Sequence, residues 1–516
     1  MRNKIIILAA LLSTLTFSAC RDEADLQYNY SFNDNALFYE AQNSFAGKFR
    51  VFWNAMNSNY ALWDYEKECG LDWDDVYDQF LPKFEALDNT DEIVTDSTLK
   101  ALMNEMIAPL HDGHFIVSFL NHKTQNRVIV SPSALRNATR DDAKISDQFY
   151  PSLTGPYLRG ELKDYKECDT RFTALVTEMT QSKGRGLQWA KERYNTLTLK
   201  EIPTQAEAME MNGLSHFISE MDMLLEDDKL KPSEFNDLVK EYAYLNIPFL
   251  EPIHAEFEEK GVCVKYALFK DDIAYLYLSD FSLSCYLDEG AIDKEFPNAT
   301  DFTKERIARV VNVWKSWFNA IQTLHKAGQL KGVVLDLRGN PGGAFSDEQY
   351  LLGAMLPAGG FQNGWARTKR GVGRYDYSTM MPEIVPTMEK EHEIINDVPI
   401  AVLVNGGSVS MSEITSLAAK NMPNARVIGK RTYGGVCGLD GNAYYSENYA
   451  GHIGVEGVTP VYCYVPTIAI FDMDKRPMEG VGITPDIEVD LDTVAFKTSL
   501  TDTQFDRALQ YIRTGK

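Results

Sequence analysis

Residues 331–346 read KGVVLDLRGNPGGAFS, and residues 405–413 read NGGSVSMSE. The first stretch is a short apolar run, Val333 to Leu337, that breaks into a glycine-rich turn carrying Arg338 and Asn340. The second sets Ser408, Ser410 and Ser412 just ahead of the helical pattern Glu413-Ile414-Thr415-Ser416-Leu417-Ala418-Ala419. A buried strand ending in a glycine turn can aim backbone N–H groups at one point in space. A serine at a strand-to-helix corner can present its hydroxyl there, where the first helical turn adds free N–H groups and the positive end of the dipole. One such donor is worth about 3 kcal/mol to a negatively charged transition state. The same corner also suits a serine that merely caps the helix, so spacing alone leaves both roles open.

The neighbouring sequence supplies a frame for this pair. Val262 to Leu268, Ile273 to Leu278, Ile400 to Val404 and Arg426 to Ile428 read as further short buried strands. Between them, Phe302 to Ala327 carries the stripe Ile307, Val310, Val311, Trp314, Phe318, Ile321 and Leu324, and Gly328 closes it. Thr501 to Thr514 reads as a last helix with Phe505, Leu509 and Ile512 turned inward. Alternating strands and helices of this kind predict an α/β core with much parallel pairing.

Upstream, residues 36–108 are helical in pattern. Phe49, Phe52, Trp53 and Met56 recur at helical steps; Asp72 to Phe80 is an acidic helix start, and Thr95 to Met106 sets Leu99, Leu102, Met103 and Met106 on one side. The turn Leu110-His111-Asp112-Gly113-His114 leads into the strand pattern Phe115 to Phe119. Residues 121–260 are the least legible, with a strand pattern at Val128-Ile129-Val130, scattered Leu224, Leu225 and Leu230, and a solvated acidic run Glu226-Asp227-Asp228.

With 516 residues, 44% of them hydrophobic, the chain can bury a large core in about two to four domains. Its 51 Lys and Arg against 74 Asp and Glu give a net charge of −23, which repels phosphate backbones and argues against nucleic-acid partners. Arg2 and Lys4 precede an apolar run from Ile5 to Leu15 and then Phe17-Ser18-Ala19-Cys20. Residues 1–20 therefore resemble a lipoprotein signal peptide with Cys20 as the lipidated residue, followed by a polar tether over 21–35. The acidic start Arg21 to Asp25 resembles the export tether of surface lipoproteins in Bacteroides-like bacteria. That resemblance implies lipid anchoring to the outer membrane of the cell envelope and leaves exposure on its outer surface open. The six cysteines other than Cys20 are too widely spaced for a metal pattern or a dense disulfide framework. His111 and His114 lack the third ligand and the spacing of a zinc motif, so no metal and no cofactor are expected. The turn Gly339–Gly343 lacks the ending of a phosphate loop, which leaves Asp336 and Arg338 as structural partners beneath it.

Three segments together, Leu335 to Gly343, Val404 to Glu413 and Gly429 to Gly435, resemble the tail-specific (C-terminal processing) protease family, peptidase family S41. Gly480-Val481-Gly482-Ile483-Thr484-Pro485-Asp486 resembles its C-terminal signature, and the Trp73 region with the 110–115 turn resembles the helical domain of tricorn-like members. The resemblance implies a crotonase/ClpP-like S41 core over 261–516, an N-terminal helical domain over 36–120 and a largely helical insertion over 121–260. The carboxylate-binding loop of a PDZ domain is not found in that insertion.

Carried over by position, the resemblance implies Ser410 as nucleophile and the N–H of Met411 as one oxyanion donor. Gly343 is the favoured second donor, with Gly342 open. Many members use a lysine base, but Gly435 stands at its place here. The tricorn-like branch uses a histidine, matched by His114, with Glu479 as its indirect orienting partner. The expected function is an exported serine endopeptidase acting on peptide or protein substrates. A non-catalytic peptide- or apolar-ligand-binding lipoprotein on the same scaffold, and an esterase or amidase, stand as alternatives.

Overall fold

The computed structural model describes residues 41–133, 183–200, 264–438 and 452–516, less short stretches inside them, with isolated residues between 151 and 218. The signal and tether residues 1–35 with Cys20, the acidic run at 226–228 and most of 121–260 lie outside the described residues. No described helix is long and apolar enough to cross a membrane.

The chain divides into two compact units. One takes residues up to 144, then 363–383 and 434–482; the other takes 145–362, 384–433 and 483–516. The expected blocks 36–120 and 261–516 map onto these unevenly, because two segments from the second half of the chain complete the core of the first.

That first unit is built on the helices Phe45–Asn59, Trp63–Glu68, Trp73–Asp88 and Asp96–Ile107. Each of the three long ones starts at a capping side chain, Ser44, Asp72 or Thr95. Their buried faces bring Phe49 onto Phe84 (ring centroids 5.0 Å apart) and Trp63 onto Trp73 (4.7 Å). Such aromatic pairs add about 0.5–1.5 kcal/mol beyond their burial. The core continues into an antiparallel sheet of His452–Ile453, Val461–Tyr464, Ile116–Asn121 and Asn126–Val130, in that order. Ile468–Phe471 pairs separately with Trp365–Thr368. Cys463, Ala469 and Phe471 thus pack in the same cluster as Phe45 and Phe52.

The second unit centres on a six-stranded sheet ordered Ile487–Glu488, Ala425–Gly429, Ile400–Val404, Gly332–Asp336, Ile273–Leu278 and Val264–Leu268. Only the last pair is antiparallel. The three strands 273–278, 332–336 and 400–404 are buried along their whole length, which is why they read as continuous apolar runs rather than alternating ones. Helices Asp301–Lys326, Met411–Asn421 and Thr503–Thr514 pack on this sheet, the last laying Phe505, Leu509 and Ile512 against Tyr275, Val334 and Leu403. The expected α/β core with an N-terminal helical region is the architecture observed. Ligands in open parallel sheets sit beyond the carboxyl ends of the strands. Those ends lead here to residues 337–343, 405–410 and 430–433.

Candidate active site

The serine corner begins where the strand Ile400–Val404 stops. Ser408 Oγ donates to the Leu337 carbonyl (2.7 Å) and accepts the Asn405 N–H (3.0 Å). Ser412 Oγ donates to the Asn340 carbonyl (2.9 Å). Both are buried and joined to the glycine-turn segment, so two of the three alternating serines have structural work. Ser410 differs. It stands at the N-cap of Met411–Asn421 with φ 56° and ψ −117°, a conformation rare outside glycine, in a capping box with Glu413. Holding a non-glycine residue there costs about 1–3 kcal/mol and occurs where surrounding contacts impose it. Those contacts are visible: Glu413 Oε2 accepts the Ser410 N–H (3.1 Å), and Glu413 Oε1 accepts from the Thr432 hydroxyl (2.5 Å).

The glycine turn closes against this corner. A Cβ on Gly342 would lie 2.5 Å from Ser410 Cβ and 2.9 Å from Met411 N, so only glycine fits. Gly342 donates its own N–H to Asn340 Oδ1 (2.8 Å), while Asn340 Nδ2 donates to the Leu278 carbonyl (2.8 Å). Gly343 and Met411 donate their N–H groups to no acceptor among the described residues. Beneath the turn, Arg338 is fully buried between Asp336 (2.6 Å) and Asp502 (2.8 Å). Burial alone would lower its pKa, but the two carboxylates hold it well above its ordinary value. The pairing of Asp336 with Arg338 is as expected, and Asp502 from the last helix joins it.

Lys430 is no base for this serine: its ammonium pairs with Glu488 (2.7 Å) and Asp490 (2.9 Å).

His114 and Glu479 lie in the other unit, on and against the turn at 110–115. Three consecutive amides of that turn go to buried carboxylates. Asp112 Oδ1 accepts the N–H of His114 and of Phe115 (2.7 Å each), and Glu479 Oε1 accepts that of Gly113. Glu479 Oε2 accepts the Val436 and Cys437 N–H groups (2.7 and 2.6 Å). Glu479, Asp112 and Glu66 are all buried. Glu66 is taken up by the Tyr60 hydroxyl and by the N–H and ring of His111 (2.8 Å each). A Cβ on Gly113 would meet the Gly434 carbonyl oxygen at 2.2 Å, so this turn is tightly enclosed. Burial holds His114 below the ordinary imidazole pKa, partly opposed by the negative charge of Glu479, which favours the neutral ring at pH 7. Its Nδ1 is buried without a hydrogen-bond partner among the described residues. Burial, and then the charge of Glu479, push Asp112 well above the usual carboxylate range.

One unit therefore gathers Ser410, Met411, Gly342 and Gly343, and the other gathers His114 and Glu479, while Cys20 lies outside the described residues. Sequence reasoning passed over Asn340, Asp112 and Glu413. The Asn340-Pro341-Gly342 spacing was a signal for the first, since an Asn side chain accepts the N–H two residues on.

The model of peptidase family S41 matches residues 272–489. A carboxy-terminal-processing protease from Bartonella bacilliformis is 28% identical over 231 residues, covering 45% of this chain and 42% of the relative. The carboxy-terminal processing protease CtpA of Bacillus subtilis is 32% identical over 120 residues, 23% of either chain. The chain thus spans less than half the length of these curated relatives. Among solved structures, mature CPAF aligns over 92% of this chain and 97% of its own, at 11% identity and a TM-score of 0.45.

Proposed function

With residues 272–489 matching the model of peptidase family S41, we propose that the chain is a serine peptidase of that family that hydrolyses peptide bonds through an acyl-enzyme. The observation that carries the proposal is Ser410, held at φ 56° beside the unengaged N–H groups of Met411 and Gly343. In this reading the Ser410 hydroxyl attacks the scissile carbonyl, and its proton passes to His114. The carbonyl oxygen gains the negative charge between the Met411 and Gly343 amides. His114 then returns the proton to the leaving amine, and water hydrolyses the ester by the same route. Gly342 has no part as a donor, because its N–H is engaged by Asn340.

Support for a histidine rather than a lysine base is threefold. Gly435 stands at the family's lysine place, Lys430 is held by two carboxylates, and burial keeps His114 neutral. Glu479 acts through the backbone of Gly113 and through its charge, both oxygens being occupied by amides.

We extend the proposal to export and anchoring. The apolar run ending at Cys20 supports a lipid anchor in the cell envelope, with peptides or proteins as substrates. Cys20→Ala should then release the protein from the membrane fraction.

The test is labelling by a fluorophosphonate together with hydrolysis of peptide libraries. Ser410→Ala is expected to abolish both with the fold kept, and His114→Ala to do nearly the same. Full activity in either variant would defeat this assignment.

A further inference from the structure

We infer that Asp112 is a positioning residue for catalysis, whose Oδ2 fixes the tautomer of His114 by accepting from Nδ1–H through one bridging water. The inference rests on the reading of His114 as the base.

A base that takes a proton on Nε2 must carry its own proton on Nδ1, and a buried Nδ1–H requires an acceptor. The carboxylate oxygens around the turn can be counted off. Both Glu479 oxygens are occupied by the amides of Gly113, Val436 and Cys437. Both Glu66 oxygens are occupied by Tyr60 and His111. Asp112 Oδ1 holds the His114 and Phe115 amides. Asp112 Oδ2 is left, buried and without a partner among the described residues, as is His114 Nδ1. The two atoms sit on side chains two positions apart, joined by a hydrogen bond from the backbone of one to the carboxylate of the other. A single water donating to Oδ2 and accepting from Nδ1–H satisfies both.

The acceptor role needs Asp112 as a carboxylate, a form that a positive charge at His114 favours. Asp112 and Glu479 are buried together, and burial with mutual repulsion raises Asp112 well above its usual range. An imidazolium at His114, formed as the serine loses its proton, supplies the positive charge that this pair lacks.

The variant Asp112→Asn separates the two roles of the side chain. Its amide oxygen still accepts the His114 and Phe115 N–H groups, but its second arm becomes a donor and cannot accept from the relay. Expected are a melting temperature close to the parent's and a kcat/KM lowered by between about tenfold and the roughly 10⁴-fold seen when Asn replaces the orienting carboxylate of a serine triad. A kcat/KM within twofold of the parent would overturn the inference. The second readout needs no variant and no activity: ¹⁵N NMR of the histidine-labelled parent protein, with His114 assigned by His114→Gln. The Nδ1–H tautomer is expected to dominate in the neutral ring, and dominance of Nε2–H would overturn the inference even if Asp112→Asn failed to fold. Loss of the peptidase reading itself would show differently, as hydrolysis that survives Ser410→Ala or His114→Ala.

Discussion

Asn340 Oδ1 accepts the N–H of Gly342 at 2.8 Å, and this one bond decides which amide of the glycine turn is left to meet a ligand. By engaging Gly342 it leaves Gly343 as the unengaged donor across from Met411. Asn340→Ala removes the acceptor for Gly342 and the donor for the Leu278 carbonyl, both in a buried place. Each orphaned group costs about 1–3 kcal/mol. We expect a lower melting temperature and, from the misaimed turn, a kcat reduced about 10²–10³-fold with a smaller change in KM. Steady-state kinetics with calorimetry will check this.

Gly342→Ala tests the same turn by steric means. The added methyl would sit 2.5 Å from Ser410 Cβ and 2.8 Å from the Val409 carbonyl oxygen, with φ at +99°. The expected outcome is displacement of Ser410 and loss of fluorophosphonate labelling by at least about 10²-fold, since a shift of about 1 Å at a reacting group costs that much. Labelling rates read it directly, and retained circular dichroism shows that the sheet survives.

Arg338→Met leaves Asp336 and Asp502 buried without their cation. Breaking a buried pair from one side costs about 3–5 kcal/mol. Chemical denaturation should show that loss in the unit that carries the sheet. The double variant Arg338→Met with Asp502→Leu should recover part of it.

With His114 as the proposed base, the pH dependence of kcat/KM follows its pKa. Burial lowers its pKa, so the rise of activity with pH should lie below the ordinary imidazole value and be complete by neutrality. Glu479 raises that pKa in part. Removing its charge in Glu479→Gln must therefore move the acid limb to still lower pH. A limb that moves to higher pH would contradict the electrostatic role of Glu479.

Glu383 gives a separate test on stability. Burial pushes its carboxyl from 4.5 up to about 7. Its folded form holds a proton that the unfolded chain releases, so its contribution is complete below the unfolded value and is lost as pH rises through about 7. Glu383→Gln should melt like the parent near pH 4. At pH 8 it should be the more stable protein, by up to about 3 kcal/mol.

How far the sequence was legible depended on where each pattern's partners lay. The strands Ile273–Leu278, Gly332–Asp336 and Ile400–Val404 are buried on both faces, so their apolar runs announced them. Phe361–Thr368 and Met381–Val385 went unread because their residues are mixed and half-exposed, with Asn363, Gly364 and Glu383 interrupting any period. The serine corner and glycine turn were legible because each follows a fully buried strand, and those two strands are neighbours in one sheet. Ser408 and Ser412 could be told from Ser410 only once their carbonyl partners, Leu337 and Asn340, were seen about seventy positions away. Glu479 was placed by resemblance, but its hold on Gly113 joins residues 366 positions apart, and no local spacing encodes that.

The interleaving of the two units has a consequence for how the protein is made. The turn bearing His114 is closed by Glu479, and the aromatic core behind it needs Cys463 and Ala469. Synthesis proceeds from the amino end, so the N-terminal helices emerge long before the segment that seals them. A nascent chain must wait until about residue 482 has cleared before that turn can set. The timing is a safeguard that requires no inhibitor: any activity that depends on this turn stays silent while the chain is still being made, and any fragment broken off before that point stays silent too.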